Sequence, residues 1–305
     1  MKITFVVNNK NNRLAKVLPR LDAACRQAGL DGVQFLQTLR KKHAIELARQ
    51  AAENGCDYLI AVGGDGTLNE VVNGLFRSKL PVNEYPTIGL LPYGSANDFA
   101  KTIQASKSIE VLASLIRSKT IGKIDLGKII LHDSGETRYF LNIAGIGLSA
   151  EVVGHMERAG SFLGPKLNYF INILRGFLTY RKKIASCQAT TWQWSGKLLQ
   201  LALANGRSFG HGICIAPDAA IADGQFQAAI FGDLRIWDYL KNIARLKKGL
   251  KIDLPQVQYQ EASNVLIESE APLGIEADGE YVGTTPATLS VLPKAIRFLI
   301  PPDQE

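Results

Sequence analysis

The sequence predicts an α/β fold of two domains: a parallel sheet with helices on both faces, and then a mostly antiparallel β domain. Three observations predict this class. Short β-branched runs alternate with segments of helical spacing from the first residues to about Asp125. Beyond Asp125, strand-like runs separated by turns predominate. The chain has 305 residues, which is enough for two domains of common size.

Each element of the first half has its own signal. Apolar, mostly β-branched runs predict strands at Ile3–Val7, 33–36, 57–62 and 87–91. Apolar residues that recur every three to four positions predict helices at 17–28, 44–53 and 109–116, and from about positions 68 and 96. Because strands and helices alternate at short intervals, the strands are expected to be parallel.

The second half is recognised by its turns and strands. Two polar turns, at 133–136 and 194–197, lie between strand-like runs and predict hairpins. Further strands are predicted at 225–231, 264–267, 288–292 and 296–300, and helices near 165–181 and 236–250. No long linker separates the domains, 1–125 and 126–293, so a cleft between them is the expected site.

Composition and charge exclude several classes of protein. Apolar residues make up 46% and charged residues 21%, which is globular rather than disordered or collagen-like. The most apolar stretch, 167–180, is too short and too polar for a membrane span, and no secretory signal is recognisable. Four cysteines without CxxC spacing favour a reduced, cytoplasmic protein. The net charge of +7 permits an anionic partner, but no nucleic-acid-binding motif is found.

Two glycine loops carry the strongest functional signal. The loop Gly63-Gly64-Asp65-Gly66-Thr67 joins a buried strand to a helix, and its glycines let a ligand approach the backbone. A tight turn with Thr67 as N-cap is the alternative for this loop alone. Residues 90–98 repeat the design of strand, glycine turn, hydroxyl and helix. Two such loops at the carboxyl ends of strands form one crevice, which predicts a phosphate site.

Four segments resemble the diacylglycerol kinase catalytic-domain family. Residues 63–74 read GGDGTLNEVVNG and resemble its nucleotide-binding signature. Residues 91–100 read LPYGSANDFA and resemble its P-x-G-T-x-N-D-F-A element. Residues 217–224 resemble its P-x-A-x-x-x-D-G segment, and residues 278–280 its D-G-E element. The four segments occur in the family's order and extend over nearly the whole chain.

The resemblance implies a fold and a reaction. The fold would be an α/β domain like that of NAD kinase and phosphofructokinase, then a β-sandwich domain for the lipid, with residues 294–305 returning to the first domain. The reaction would be Mg²⁺-dependent transfer of the γ-phosphoryl group of ATP to a hydroxyl of diacylglycerol or a related lipid. Such transfer depends mainly on positioning and charge neutralisation. A place in phospholipid metabolism is implied, with the protein peripheral at the inner face of the membrane.

The resemblance also implies nucleotide contacts. The phosphates of ATP would be cradled by the first loop and the start of its helix, that is by Gly63, Gly64, Asp65, Gly66, Thr67, Leu68 and Asn69. Thr38 and Ala44 match a T-x(5)-A contact, and Ser95 keeps the hydroxyl where the family has threonine. After the first strand the family's N-P-x-x-G is replaced by Asn8 to Arg13, so contacts of Asn8 and Arg13 depart from the family and nucleotide selectivity stays open.

Carboxylates are assigned to the chemistry in the same way. Asp65, Asp98 and Asp125 would form the acidic network that holds Mg²⁺ and ATP. Asp278 and Glu280 are two positions apart, so on an extended segment they would face the same side. One of them would accept the proton of the substrate hydroxyl; Glu280 is favoured, with Asp278 orienting it or sharing the role.

The segment 220–225 resembles a structural metal loop of the bacterial members. Asp223 would bind through its side chain, and Ala220 and Gln225 through their backbone carbonyls. Oxygen ligands suit a second Mg²⁺ or Ca²⁺. An ordinary Asp-Gly turn is the equal alternative.

Three questions stay open at this level. An NAD kinase-like enzyme acting on a soluble substrate is the first alternative, and a nucleotide-binding or lipid-binding protein with a decayed site is the second. The basic residues after 167–180 and those of the last predicted helix fit either a solvated face or a surface for anionic lipid. A homodimer is compatible with the sequence, which does not specify the oligomeric state.

Overall fold

The computed structural model describes residues 1–9, 18–158, 171, 174–176 and 178–301. They belong to two compact units, the first made of Met1–Ile124 and the segment from Lys294, the second of Asp125–Pro293. The predicted contact of Arg13 lies outside the described residues, and so does most of the helix predicted at 165–181.

The first unit is a parallel sheet with helices. Its strands are β1 (Ile3–Val7), β2 (Val33–Gln37), β3 (Tyr58–Gly63) and β4 (Thr87–Pro92). Its helices are α1 (Leu18–Gln27), α2 (His43–Glu53), α3 (Asp65–Leu75), α4 (Asp98–Thr102) and α5 (Ile109–Ser118). The strand order is β2–β1–β3–β4, and Phe298 near the end of the chain pairs in parallel with Ile88 of β4. The predicted parallel α/β domain is confirmed.

Alternation along the strands decides which helices cover which face. Ile3, Phe5 and Val7 of β1 pack in a core that includes apolar residues of α1 and α5. Helices α2 and α3 pack on each other and contact β1 and β3. Gly74 of α3 allows the two helices to approach each other closely, because a Cβ atom at this position would lie 2.4 Å from the Ile45 carbonyl oxygen of α2.

Among the described residues, the second unit contains two large, mainly antiparallel sheets and a small two-stranded one. Its strands are β5 (Ile121–Leu131), β6 (Thr137–Phe140), β7 (Ile143–Gly147), β8 (Lys183–Ala189), β9 (Gln193–Leu198), β10 (Gln200–Ala204), β11 (Ser208–Phe209), β12 (Ile213–Cys214), β13 (Phe226–Phe231), β14 (Val257–Ala262), β15 (Asn264–Ser269), β16 (Gly274–Ala277), β17 (Glu280–Thr284) and β18 (Ala287–Leu299). Its helices are α6 (Leu148–Arg158) and α7 (Ile236–Lys247). One sheet has the order β6–β5–β18–β15–β8–β9, the other β14–β13–β10–β7–β16–β17. The chain enters this unit within β5 and leaves it within β18.

An apolar core fills the space between these two sheets. Ile129, Phe140 and Val265 come from the first sheet, and Ile146 and Phe226 from the second. The rings of Phe140 and Phe226 are stacked with centroids 5.5 Å apart. Side chains of both inner faces therefore form one layer, and the β-sandwich implied by the resemblance is confirmed.

Three local predictions for this half need comment. The hairpin at 133–136 is confirmed, because β5 and β6 pair around it. The turn at 194–197 is wrong: these residues belong to β9, and the hairpin turns earlier, where the Ala189 N–H donates to Trp192 O at 3.0 Å. Gly196 stays in the strand, where the ring of Trp194 packs near it. The strands predicted at 288–292 and 296–300 are one strand, β18.

Helix α6 was not predicted, since Leu148 and Val152 are the large apolar residues that mark its buried face and the small Ala150 between them gives a weak signal. Among the described helices, none has the length and apolarity needed to span a membrane.

Candidate functional site

The two glycine loops touch at the carboxyl ends of β3 and β4. The Gly94 N–H donates to the Gly63 carbonyl oxygen at 3.1 Å. A Cβ atom on Gly94 would lie 2.3 Å from the Cα atom of Gly64, so a side chain there would clash with the facing backbone. Helix α3 begins at Asp65, and its first N–H groups lack intrahelical acceptors. The structure therefore joins the two predicted loops into one surface of backbone suited to phosphate.

Asn97 holds the second loop in shape. Its φ of 52° is left-handed, and its Nδ2 donates to the carbonyl oxygens of Pro92 at 3.1 Å and Gly94 at 2.8 Å. Its buried Oδ1 meets no donor among the described residues. Ser95 beside it is exposed. Asn97 was not among the predicted site residues; the available signal was its place before a helix, where asparagine tolerates a left-handed backbone.

Asp65 connects the two loops. Its carboxylate accepts the N–H groups of Asp98 at 3.0 Å and Phe99 at 3.2 Å, at the start of α4. Burial raises the pKa of Asp65, the nearby Asp98 carboxylate raises it further, and the two N–H donors oppose this. Asp98 is buried and accepts from Lys101 Nζ at 2.8 Å. Both predicted acids of this unit thus lie together.

Asn8 and the two threonines meet at the ends of β1, β2 and β3. Asn8 Nδ2 donates to Thr67 Oγ1 at 2.8 Å, and its N–H donates to Val62 O at 3.0 Å. The Thr38 hydroxyl oxygen accepts the N–H of Asn9 at 3.0 Å. Both threonines are buried. Asn8, the first residue of the segment that departs from the family, therefore still bonds to the helix that follows the first glycine loop.

Glu70 fixes the segment that carries Thr38. Its carboxylate accepts the N–H of Lys42 at 3.2 Å and of Ala44 at 3.1 Å, at the start of α2. Lys42 has a left-handed φ of 64°. The Glu70 side chain of α3 thus fixes the backbone that leads from Thr38 to Ala44. The sequence alone did not assign this role to Glu70.

Leu68 and Asn69, the last two residues predicted to contact the phosphates, have buried side chains. Leu68 is a core residue, and its N–H donates to Gly64 O at 3.1 Å. Asn69 is buried, and its Oδ1 accepts from Asn73 Nδ2 at 3.0 Å. Gly66 has open space where a Cβ would stand.

In the second unit, Asp278 and Gly279 form the two-residue turn between β16 and β17. Their φ values are 49° and 83°, so both are left-handed, as in a type I′ hairpin. The expectation of an extended segment was therefore wrong, because Asp-Gly is the dipeptide that such a turn favours. Asp278 lies in the turn, and Glu280 pairs with Ala277 as the first residue of β17.

The Asp278 carboxylate is committed to the backbone. It accepts the N–H groups of Leu141 at 2.9 Å, Asn142 at 3.0 Å and Ile143 at 3.1 Å. The Asp278 N–H donates to the Ile143 carbonyl oxygen at 3.0 Å. Glu280, in contrast, is half-buried at the strand end. This geometry suits Asp278 to positioning and Glu280 to proton transfer.

Glu276, which was not predicted, lies two positions before Asp278 in β16. It is 2% exposed, and its carboxylate accepts the Gly279 N–H at 3.0 Å. Burial raises its pKa to about 8, and the charge of Asp278 adds to this, while Ser149 and the Gly279 N–H act in the opposite direction. A Cβ on Gly145 would lie 2.4 Å from Glu276 Oε1, so glycine there makes room for the carboxyl group.

Asp125 organises the loop predicted to bind a structural metal. It is buried, its N–H donates to Ile221 O at 2.7 Å, and its Oδ2 accepts the Gly224 N–H at 2.6 Å. Asp223 is exposed, and its Oδ1 accepts the N–H of Gln225 at 3.0 Å, the pattern of an Asx turn. The metal roles of Ala220, Asp223 and Gln225 stay predictions.

Oxygen donors for a divalent cation are present in the first unit. Across the described ranges, no cluster of three or more His, Cys, Asp and Glu side chains is placed to hold a metal ion. Asp65 and Asp98 are close enough for their charges to interact, and the buried Asn97 Oδ1 lies by the glycine loops. Hard oxygen donors of this kind fit Mg²⁺.

A cavity of about 580 Å³ lies within the second unit. The described residues that line it come from the end of β7, α6, the chain around Tyr180, the residues just before β16, and β16 and β17; they include Ala150, Arg181, Leu273 and Tyr281. Its volume is in the range of small-molecule sites. Tyr281 follows Glu280 directly, so the cavity adjoins the strand that carries the candidate base.

Comparisons with known proteins cover both units. Residues 2–129 match the family described as diacylglycerol kinase catalytic domain, and residues 142–300 match the YegS C-terminal NAD kinase beta sandwich-like domain. A protein named "Probable lipid kinase YegS-like" from Serratia proteamaculans is 31% identical over 88% of this chain and 84% of its own. A Bacillus subtilis protein named "Diacylglycerol kinase" is 26% identical over 95% of this chain and 91% of its own.

Among solved structures, a diacylglycerol kinase from Bacillus anthracis has a similar fold. Its TM-score is 0.70 at 21% identity, and the match covers 99% of this chain and 97% of that one.

Proposed function

Since the chain belongs to the family of ATP-dependent lipid kinases that carry the diacylglycerol kinase catalytic domain, we propose that it phosphorylates the free hydroxyl of diacylglycerol or a closely related lipid, with Mg²⁺. We place this activity in phospholipid metabolism, at the inner face of the membrane.

The contact between the two glycine loops is the observation that carries the proposal. Gly63, Gly64 and Gly94 leave backbone where other residues would place side chains, and the N-terminus of α3 adds N–H groups for an anion. The Asn8–Thr67 hydrogen bond keeps the first loop closed on one side. These features support binding of the ATP phosphates, which phosphoryl transfer requires to be held in line with the attacking hydroxyl.

Asp65 and Asp98, together with Asn97 Oδ1, are the groups we assign to Mg²⁺. The ion would neutralise negative charge on the phosphates when bound. Asp65 also has a structural role, because its carboxylate caps α4 and so keeps the second loop against the first. The charge interaction between Asp65 and Asp98 favours a cation as their neighbour.

We assign proton transfer to Glu280. Its carboxylate would accept the proton of the lipid hydroxyl as the oxygen attacks phosphorus, while Asp278 holds the turn through three backbone N–H groups. The cavity beside Tyr281 is our candidate site for part of the lipid.

The test is transfer of label from γ-labelled ATP with Mg²⁺ to three acceptors: diacylglycerol in mixed micelles, a bacterial lipid extract and NAD. Label in the organic phase, identified as the phosphorylated lipid, is the expected result. Label in NADP alone would replace the proposal by the soluble-substrate alternative, and failure to label any of the three would contradict it.

The variant Glu280→Gln tests the chemical step. It should lower kcat by at least about 100-fold with little change in the KM for ATP, as expected when a positioned base is lost. The matched control is Glu268→Gln, which makes the same change at an exposed position of β15. An unchanged kcat for Glu280→Gln would remove Glu280 from the mechanism.

A further inference from the structure

Helix α7 has one packed face and one face that no described residue covers. Tyr239 and Leu246 are buried in an apolar cluster of the second unit, and Leu240 and Ile243 pack against it. On the other side, Trp237 is 72% exposed. A large aromatic side chain in this position is unusual on a helix that is otherwise well sorted into apolar and polar faces.

The exposed side of this helix is strongly basic. Between positions 239 and 252 the sequence has five basic residues and no acidic one. The α7 outer face consists of five exposed residues, Trp237, Lys241, Arg245, Lys247 and Lys248. Lys241 follows Trp237 by four positions, and Lys248 follows Lys241 by seven. The three residues therefore form one line along the helix about 16 Å long.

The acidic residues nearby do not neutralise this face. Asp238 is paired with Arg235, at 3.1 Å between Oδ2 and Nε. Asp218 is paired with Lys251, whose ammonium also lies 5.3 Å from the centre of the Tyr259 ring. Within the described part of the chain, Lys241, Arg245, Lys247 and Lys248 take part in no salt bridge, so four positive charges surround one exposed indole.

We propose that the α7 outer face docks the protein on an anionic lipid bilayer. This inference rests on the proposed function, because a kinase whose acceptor is a membrane lipid must reach a bilayer surface. Lysine and arginine attract anionic headgroups, and tryptophan partitions into the interface between headgroups and acyl chains. Long, flexible cations spread along a convex helix match a fluid layer of phosphates better than one fixed protein partner.

The test uses the full chain and needs no catalytic activity. Sedimentation with vesicles compares pure phosphatidylcholine with mixtures of phosphatidylcholine and phosphatidylglycerol, for the unmodified protein, Trp237→Ala and the double variant Lys241→Gln/Lys248→Gln. The matched control is Lys107→Gln/Lys123→Gln, which removes two exposed lysines from the first unit.

The unmodified protein should bind only the anionic vesicles. The α7 double variant should weaken this binding about 25-fold, since each of the two basic residues near an anionic surface contributes a factor of about five. Trp237→Ala should weaken it at least about tenfold, because a buried aromatic side chain is lost. The control double variant should bind like the unmodified protein. Indole fluorescence that shifts to the blue with vesicles, except in Trp237→Ala, would support the same conclusion.

Two kinds of result would overturn the docking surface. One is equal binding of all variants, or no binding to anionic vesicles. The other is a dimer of the protein alone that Trp237→Ala converts to a monomer, which would assign the face to a second copy. A failure of the proposed function is recognised separately, since a short-chain acceptor dissolved as monomers should be phosphorylated equally by the α7 double variant and the unmodified protein.

Discussion

Glu276 should make the protein less stable as the pH rises from about 5 to 9. Its pKa is about 8 in the folded protein and 4.5 without the burial that raises it. Between these values the folded state keeps a proton that the unfolded state releases. The stabilisation is therefore complete below pH 4.5 and is lost as the pH rises through 8, and linkage gives about 5 kcal/mol for the full change.

Glu276→Gln removes this titration and keeps the shape of the side chain. The amide oxygen can still accept the Gly279 N–H, which the carboxylate accepts at 3.0 Å. At pH 9 we expect the variant to be up to about 5 kcal/mol more stable than the unmodified protein, and near pH 4.5 the two should be alike.

The assay is urea unfolding at a series of pH values, with the exposed Glu268→Gln as the control for loss of one charge. The free energy of unfolding of Glu276→Gln should fall less steeply with pH than that of the unmodified protein or the control. Parallel curves for Glu276→Gln and the unmodified protein would refute a proton held on Glu276.

Three further outcomes are expected from single substitutions. Gly94→Ala should lower stability by about 1–3 kcal/mol in thermal unfolding, because its Cβ meets the Gly64 backbone, whereas Gly66→Ala, which has open space, should be neutral or stabilising; equal effects would contradict the loop contact. Asp278→Ala should cost at least about 3 kcal/mol in urea unfolding, since three N–H groups lose their acceptor, while Glu280→Ala should cost under about 1 kcal/mol; the reverse order would exchange their roles. Asp125→Ala should speed hydrogen exchange at Gly224, whose N–H it binds, and unchanged exchange would argue against its hold on the loop.

The strands, helices and glycine loops of the first unit could be predicted because each is marked by residues that are close together in the sequence. Strand β1 was predicted with its observed bounds, and α2 and α5 within a few residues, since each combines a regular apolar period with a clear end. The glycine loops were found because glycine marks the point where two backbones touch.

The second unit depends on partners that are distant in sequence. The pairing of Asp278 with three N–H groups of residues 141–143 joins positions more than 130 apart, so no local pattern announces it. The burial of Glu276 has no local signal either, because a carboxylate in a short strand is normally predicted to be exposed. The space for it is left by Gly145, which is distant in sequence. The turn at 278–279 is the exception, because the dipeptide Asp-Gly is itself a local signal for a two-residue hairpin turn.

The return of the chain to the first unit has a consequence for protein synthesis. Phe298, which pairs with Ile88, emerges from the ribosome 210 residues after it, and Leu299 packs into the core that contains β1. Until then β4 presents an unpaired edge, and pairing across so long a separation is slow. A chain terminated before Phe298 thus has every glycine of the phosphate surface but no means of completing the sheet beneath it. We therefore expect prematurely terminated products to be aggregation-prone and inactive rather than partially active kinases.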